Sequence, residues 1–140
     1  MDRDRLKDQL FLHEGFEPKP YKDTVGKWTI GVGRNLDDVG ITEVEARTLL
    51  DNDIHSAEAI ASRVISSYHD LDEVRQRVVV DMAFNLGGKL AHFKKAIAAI
   101  VAEDFDTAAT EMLDSLWARQ VGRRATRLSV MMRTGEDYEM

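Results

Sequence analysis

The chain has 140 residues, no cysteine and a formal net charge of −6, from 25 acidic and 19 basic side chains. This length predicts one cooperative domain that needs neither disulfides nor a thiolate zinc site. A hydrophobic content of 44% excludes a disordered chain, and the acidic balance argues against nucleic-acid binding. Acids and bases alternate over the first ten residues, so we expect no secretion signal and no membrane insertion. The sequence therefore predicts a soluble protein made in the cytoplasm.

The first third of the chain combines a helical pattern with a strand pattern. Leu6 and Leu10 follow helical spacing, which predicts a helix from residue 3 to about 14 that Gly15 ends. Both prolines and a β-branched and aromatic run lie between residues 16 and 32. This composition is typical of a short antiparallel hairpin, whose turn we expect at residues 25–27.

The rest of the chain has helical periodicity. Thr42 and Glu45 form a capping-box signature, which opens a long helix at residues 43–64. Asp70 and Glu73 repeat that signature before the next helix. The later predicted helices cover residues 74–86, 93–101, 106–116 and 123–132.

These elements predict a mainly helical α+β fold, with one catalytic domain of two lobes. A small hairpin lobe covers about residues 15–45, and the helix at about 43–64 links it to the second lobe. We expect residues 1–14 to pack with about 65–140 in a helical lobe, because a lone hairpin cannot bury a helix. A cleft would then lie between the lobes.

The hairpin also predicts a pair of polar side chains. If Gly26 is the centre of the turn, Asp23 pairs with Thr29 on one face. Glu14 ends the first helix, where the negative end of the helix dipole favours a protonated carboxyl. An acid, a second carboxylate and a hydroxyl that can orient water are the groups that glycosidic hydrolysis uses.

The same residues resemble the catalytic signature of a known enzyme family. Glu14-Gly15, residues 21–24, Gly26 and residues 28–33 resemble the motif of the phage-type lysozymes, glycoside hydrolase family 24. The likeness continues, in order, through residues 71–75, 82–87, 105–109, 115–117, 123–125 and 133–135. It covers nearly the whole chain, so a lysozyme-like two-lobed fold is implied.

The resemblance implies a role for each catalytic residue. Glu14 would be the general acid, Asp23 the carboxylate that stabilises positive charge and helps activate water, and Thr29 the residue that holds this water. The family's usual reaction is hydrolysis, with inversion, of the bond between N-acetylmuramic acid and N-acetylglucosamine in peptidoglycan. Asn35 and Phe84 fall where the family lines its saccharide cleft.

Further positions match the family or depart from it. Arg124 matches an arginine near the catalytic acid, and Trp117 and Asn85 match an aromatic and an amide that meet beneath the cleft. Arg34 replaces a histidine of the family pattern, so an ion pair centred there must be absent or remade. Glu111 stands where a neutral amide is expected, and Asn35 itself replaces an apolar residue.

The resemblance implies peptidoglycan as the partner, no cofactor, no metal and a monomeric phage endolysin. We expect the enzyme in the host bacterial cytoplasm before lysis and on the cell wall after release through a holin-type lesion; a place in the phage particle is the alternative. Two other functions stay open: a lytic transglycosylase acting on the same bond, and a non-catalytic wall-binding or structural module of the same fold.

Two patterns have competing interpretations. Gly31-Val32-Gly33 lacks the third glycine of a dinucleotide loop, which favours close packing of a strand. The segment from Arg119 to Arg133 contains five arginines and no acid. Its arginines either pair with acidic helices or meet the carboxylates of the cell wall.

Overall fold

A computed structural model describes residues 1–138 of the chain, which form two compact units. The first unit is Met1–Leu49, and the second begins at Leu50. Their boundary lies within one long helix, Glu43–Val64. A small antiparallel sheet accompanies a majority of helical residues, so the mainly helical α+β class is confirmed.

The elements follow one another in chain order. The first unit contains helix α1, three strands and the start of α2: α1 Arg3–Glu14, β1 Glu17–Lys22, β2 Trp28–Gly31, β3 Arg34–Asn35 and α2 Glu43–Val64. The second unit contains the remainder of α2 and five further helices: α3 Glu73–Leu86, α4 Lys94–Val101, α5 Phe105–Leu113, α6 Leu116–Val121 and α7 Arg123–Thr134. Short 3₁₀ segments cover Tyr68–Asp70 and Gly87–His92.

Helix α1 has the ends that the sequence predicts. Asp2 caps it by accepting a hydrogen bond from the Arg5 N–H at 3.0 Å. Gly15 ends it with φ +74°, a conformation that costs other residues a steric clash. The helix buries none of its residues, and it belongs to the first unit. Its predicted packing against the later helices stays a prediction.

The sheet has the strand order β1-β2-β3, and both strand pairs are antiparallel. Tyr21 pairs with Thr29 and Lys22 with Trp28. The predicted pairing of Asp23 with Thr29 is therefore wrong by two residues. The connection is the three-residue segment 24–26, because Asp23 N–H donates to the Lys27 carbonyl at 2.9 Å and closes the turn there.

The start of α2 confirms the predicted capping box. The Thr42 hydroxyl accepts from the Glu45 N–H at 3.1 Å, and the Glu45 carboxylate accepts from the Thr42 N–H at 2.9 Å. The same carboxylate forms an ion pair with Arg34 at 2.7 Å. Arg34 also donates to the Gly40 carbonyl, so it ties β3 to the loop before the helix.

The second unit holds the hydrophobic core. Its largest fully buried hydrophobic side chains come from α3, α5 and α7 and from the segments between helices: Ile65, Val78, Val79, Met82, Leu90, Met112 and Met132. Small residues such as Ala108 and Ala109 are also completely buried, which lets α5 pack closely against α4 and α7.

Three helix predictions need correction. Asp72 caps α3, by accepting from the Arg75 N–H at 3.1 Å, whereas Asp70 lies in a 3₁₀ segment. The predicted helix at 106–116 ends at Leu113, because the Ser115 hydroxyl accepts from the Ala118 N–H and starts a separate helix. Strand β3 and helix α6 were not predicted.

Within residues 1–138, no helix is both long and apolar enough to cross a membrane.

Candidate functional site

Asp23 is held by the hairpin turn that follows it. One carboxylate oxygen, Oδ1, accepts hydrogen bonds from the N–H groups of Val25 and Lys27, each at 2.9 Å. Gly26, with φ +86°, allows the backbone to present both groups to it. Among the described residues, both side-chain hydrogen bonds of Asp23 go to Oδ1. The other oxygen, Oδ2, is therefore the one that this turn leaves for chemistry.

Thr29 lies in the central strand and is only 5% exposed. Its hydroxyl donates to the Lys27 carbonyl at 3.0 Å. A hydroxyl has one proton and two lone pairs, so the Thr29 oxygen can still accept a hydrogen bond. A water molecule beside Thr29 would thus be the donor in their hydrogen bond.

Asp23 and Thr29 share a face of the hairpin despite the corrected register. Tyr21 is directly opposite Thr29, and Asp23 is opposite Lys27. Side chains alternate along a strand, and a shift of two residues therefore preserves the face. The two side chains are diagonal neighbours across the hairpin rather than a direct pair.

Glu14 contacts the turn between β2 and β3. It is the last residue of α1, and its carboxyl group lies against Gly33. A β-carbon at position 33 would stand only 2.8 Å from Glu14 Oε2. The close packing therefore occurs at Gly33, in the turn between the strands and against Glu14, and not along a strand as predicted.

Asn35 lies beside Thr29, and its side-chain amide is hydrogen-bonded to Asp38. It pairs with Thr29 across β2 and β3. Its Nδ2 donates to the Asp38 carboxylate at 3.0 Å, and its Oδ1 accepts from the Asp38 N–H at 2.9 Å. Asn35 thus stabilises the loop that follows β3, and its contact with a saccharide stays a prediction.

Arg34, which stands where the family pattern has a histidine, forms an ion pair with Glu45. Hydrogen bonding from the Arg34 guanidinium, followed by that from Thr42, lowers the pKa of the Glu45 carboxyl to about 2. The same hydrogen bond, with the charge of Glu45, raises the pKa of Arg34. The pair fastens β3 to the first turn of α2.

Phe84 and Arg124 line a groove of about 910 Å³ in the second unit. Phe84 is 45% exposed, with Leu50 and Ile54 among the apolar residues beside it. Arg124 forms an ion pair with Asp81 at 2.6 Å and also donates to the Asp81 carbonyl at 3.2 Å. Both predicted residues thus share one groove, and their contact with substrate stays a prediction.

Trp117 and Asn85 meet as predicted. The indole Nε1 donates to the Asn85 Oδ1 at 2.9 Å, and the Trp117 ring packs edge-on against Phe93. The Trp117 side chain is buried and lines a second groove, of about 560 Å³. Glu111, the unexpected acid, lines the same groove.

The second groove contains a group of cations that the sequence analysis did not predict. Lys89, Lys94 and Lys95 line it and are exposed. Within residues 1–138, none of these lysines has an acidic partner within 4.0 Å. The signal was present in the sequence, since no acid occurs between Asp81 and Glu103.

The arginine-rich segment divides between the two interpretations. Arg124 pairs with Asp81, and Arg133 with Asp106 at 3.7 Å. Arg127 lies over the Tyr138 ring, with 5.6 Å between its guanidinium carbon and the ring centroid. Among the described residues, Arg119 and Arg123 have no acidic partner within 4.0 Å. Pairing with acids therefore explains only part of this segment.

Within residues 1–138, no three His, Cys, Asp or Glu side chains group in a way that could hold a metal ion.

Comparison with known proteins matches this sequence to one family. The phage lysozyme family model matches residues 12–133. The chain is 29% identical to "Probable T4-type lysozyme 2" of Dictyostelium discoideum, covering 93% of this chain and 94% of the relative. It is 28% identical to the pre-baseplate central spike protein Gp5 of Enterobacteria phage T4, covering 93% of this chain and 28% of that protein. The matched range includes Glu14, Asp23 and Thr29, and the chain therefore belongs to the phage lysozyme family.

Proposed function

We propose that this protein is a muramidase that hydrolyses the β-1,4 bond between N-acetylmuramic acid and N-acetylglucosamine of bacterial peptidoglycan. Its family makes it a peptidoglycan hydrolase of the muramidase type. The observation that carries the finer proposal is the shared face of Asp23 and Thr29, where the turn holds Oδ1 and leaves Oδ2 to act. Glu14 lies against the turn that follows the strand of Thr29.

The proposed reaction uses two carboxyl groups with opposite roles. Glu14 donates its proton to the glycosidic oxygen while the bond from this oxygen to the anomeric carbon breaks. A water molecule attacks the anomeric carbon from the opposite face, and Asp23 accepts its proton. The products are two saccharides, with a protonated Asp23 and an ionised Glu14. Proton exchange with solvent then restores both groups.

The hydroxyl of Thr29 orients that water. Because its proton is donated to the Lys27 carbonyl, it accepts a hydrogen bond from the water instead of donating one. The water can direct one hydrogen to Thr29 and the other to Asp23 Oδ2. Both lone pairs of the water oxygen then remain, and one of them can attack the anomeric carbon, an arrangement that favours hydrolysis with inversion over intramolecular transglycosylation.

The proposed biological role is that of a monomeric phage endolysin. It would be made in the host cytoplasm, reach the peptidoglycan through a holin-type lesion and lyse the cell. A place in the phage particle is the alternative role, and the 28% identity to a T4 spike protein makes it worth testing. Fractionation of infected cells and of purified particles separates the two roles.

The activity test compares the purified protein with its Glu14→Gln variant on purified peptidoglycan in H₂¹⁸O. Hydrolysis gives one ¹⁸O at each new reducing end, whereas transglycosylase products are one water lighter and carry no label. NMR of the first products then reports inversion or retention. Unchanged wall clearing by Glu14→Gln would contradict the proposed mechanism, and no clearing by either protein would favour a non-catalytic wall-binding module.

A further inference from the structure

The carboxyl group of Glu14 lies unusually close to the backbone at Gly33. If position 33 carried a β-carbon, this atom would stand 2.8 Å from Oε2, 3.1 Å from Cδ and 3.3 Å from Cγ of Glu14. Real β-carbons essentially never approach another heavy atom within 3.0 Å. The side chain of Glu14 therefore occupies the space that any other residue at position 33 would fill.

Gly31, the last residue of β2, provides an internal comparison. Gly31 and Gly33 have nearly the same positive φ, +69° and +68°. A positive φ disfavours residues other than glycine at both positions. A β-carbon at position 31, however, would meet nothing within 4 Å. The two glycines share a positive φ and differ in their contact with Glu14.

We propose that Gly33 is a positioning residue for the general acid of this enzyme. Its bare Cα is the surface against which the Glu14 carboxyl rests, and this surface fixes how far the carboxyl extends from the end of α1. The inference rests on the proposed function, in which Glu14 protonates the glycosidic oxygen. Gly33 itself acts only through Glu14.

The physical reason is the short range of proton transfer. A general acid must stand within about 2.6–3.2 Å of the atom that it protonates. A methyl group on residue 33 would force the Glu14 carboxyl to move by several tenths of an ångström or into another rotamer. A displacement of about 1 Å in a catalytic group can lower a rate about 100-fold.

The test compares Gly33→Ala with Gly31→Ala on soluble, uncross-linked glycan strands. We expect kcat of Gly33→Ala to fall about 10- to 100-fold below that of Gly31→Ala, with KM of the two variants within about twofold. The pH–rate profile should change shape in Gly33→Ala alone, because only that variant moves the acid. Equal kcat values and superimposable pH profiles for the two variants would overturn the proposal.

A stability cycle tests the contact without any activity. Gly33→Ala should lower Tm more than Gly31→Ala, because both variants strain the backbone and only the first displaces Glu14. In a Glu14→Ala background the carboxyl is gone, so the difference in Tm between the two glycine variants should shrink. An undiminished difference in that background would overturn the proposal. If Glu14→Gln retained full activity, the proposed function would fail, while this cycle would still report the contact.

Discussion

In the proposed mechanism Asp23 serves both the fold and the reaction. Its Oδ1 accepts two backbone hydrogen bonds that close the hairpin, and the proposal assigns the remaining oxygen, Oδ2, to the attacking water. The structural role fixes the side-chain rotamer, so the carboxylate does not have to be ordered when substrate binds. Variants of Asp23 should therefore separate the two roles.

Asp23→Asn should remain folded and lose activity. The amide oxygen of the introduced asparagine can accept the same two N–H bonds, but its NH₂ group cannot take a proton from water. We expect kcat to fall about 10²- to 10⁴-fold with little change in urea midpoint. Asp23→Ala removes the turn bonds as well and should cost about 1–2 kcal/mol in the free energy of unfolding. Equal loss of stability in the two variants would contradict this division.

Thr29→Val and Thr29→Ser should behave differently although both are small changes. Valine has nearly the shape of threonine and lacks the hydroxyl, so the Lys27 carbonyl keeps only its hydrogen bond from the Asp23 N–H and the water loses its acceptor. Serine keeps both interactions. We expect product release from glycan strands to slow about 100-fold or more in Thr29→Val and less than about tenfold in Thr29→Ser. Wild-type rates in Thr29→Val would show that the hydroxyl takes no part in the mechanism.

At the scale of elements, local chemistry was predictable and strand register was not. The capping box of Thr42 and Glu45 depends on residues three apart, and it forms as predicted. The register depends on which residues form the turn, and Gly26 lies at the end of the observed connection, 24–26, instead of at the centre of the predicted turn, 25–27. Strand β3 has only two residues, too few for any periodicity to indicate it.

The ion pair of Arg34 and Glu45 predicts how the first unit responds to acid. Glu45 has its pKa lowered to about 2 from an ordinary value of 4.5, chiefly by its hydrogen bond from Arg34. A carboxyl with a lowered pKa stabilises the fold above its unfolded pKa, and this contribution is lost as pH falls through the folded value. The stability difference between wild type and Glu45→Gln should therefore be constant above about pH 5 and shrink toward about pH 2.

Urea unfolding from about pH 2 to pH 7 measures this difference. The amide oxygen of glutamine can keep the capping-box hydrogen bond, whereas its NH₂ group cannot accept from Arg34, so the variant removes the ion pair and leaves the cap. Glu43→Gln is the control on the same turn, because its partner Arg47 and Glu43 itself are 74% and 80% exposed. A stability difference for Glu45→Gln that grows as pH falls would contradict the assigned sign.

At the scale of the whole molecule, the net charge of −6 opposes long-range attraction to an anionic cell wall. Exposed charges act over about one Debye length, roughly 8–10 Å at physiological salt, so a local group of cations can still attract carboxylates. The composition gives the net charge of the chain but does not show where its cations lie. Lys89, Lys94 and Lys95 lie in a stretch without acids, and the structure places them around one groove with Trp117.

Removing two of these lysines should weaken capture of peptidoglycan in a salt-dependent way. Lys94→Gln/Lys95→Gln changes the net charge from −6 to −8, and so does the control Arg47→Gln/Arg63→Gln on exposed positions of α2. We expect the first variant alone to lose about three- to tenfold in apparent affinity in pull-down on purified peptidoglycan at low salt. The loss should vanish near about 0.5 M salt, where the Debye length is only a few ångströms. Equal losses in both variants would mean that the field of the whole protein, instead of the lysines at this groove, governs binding.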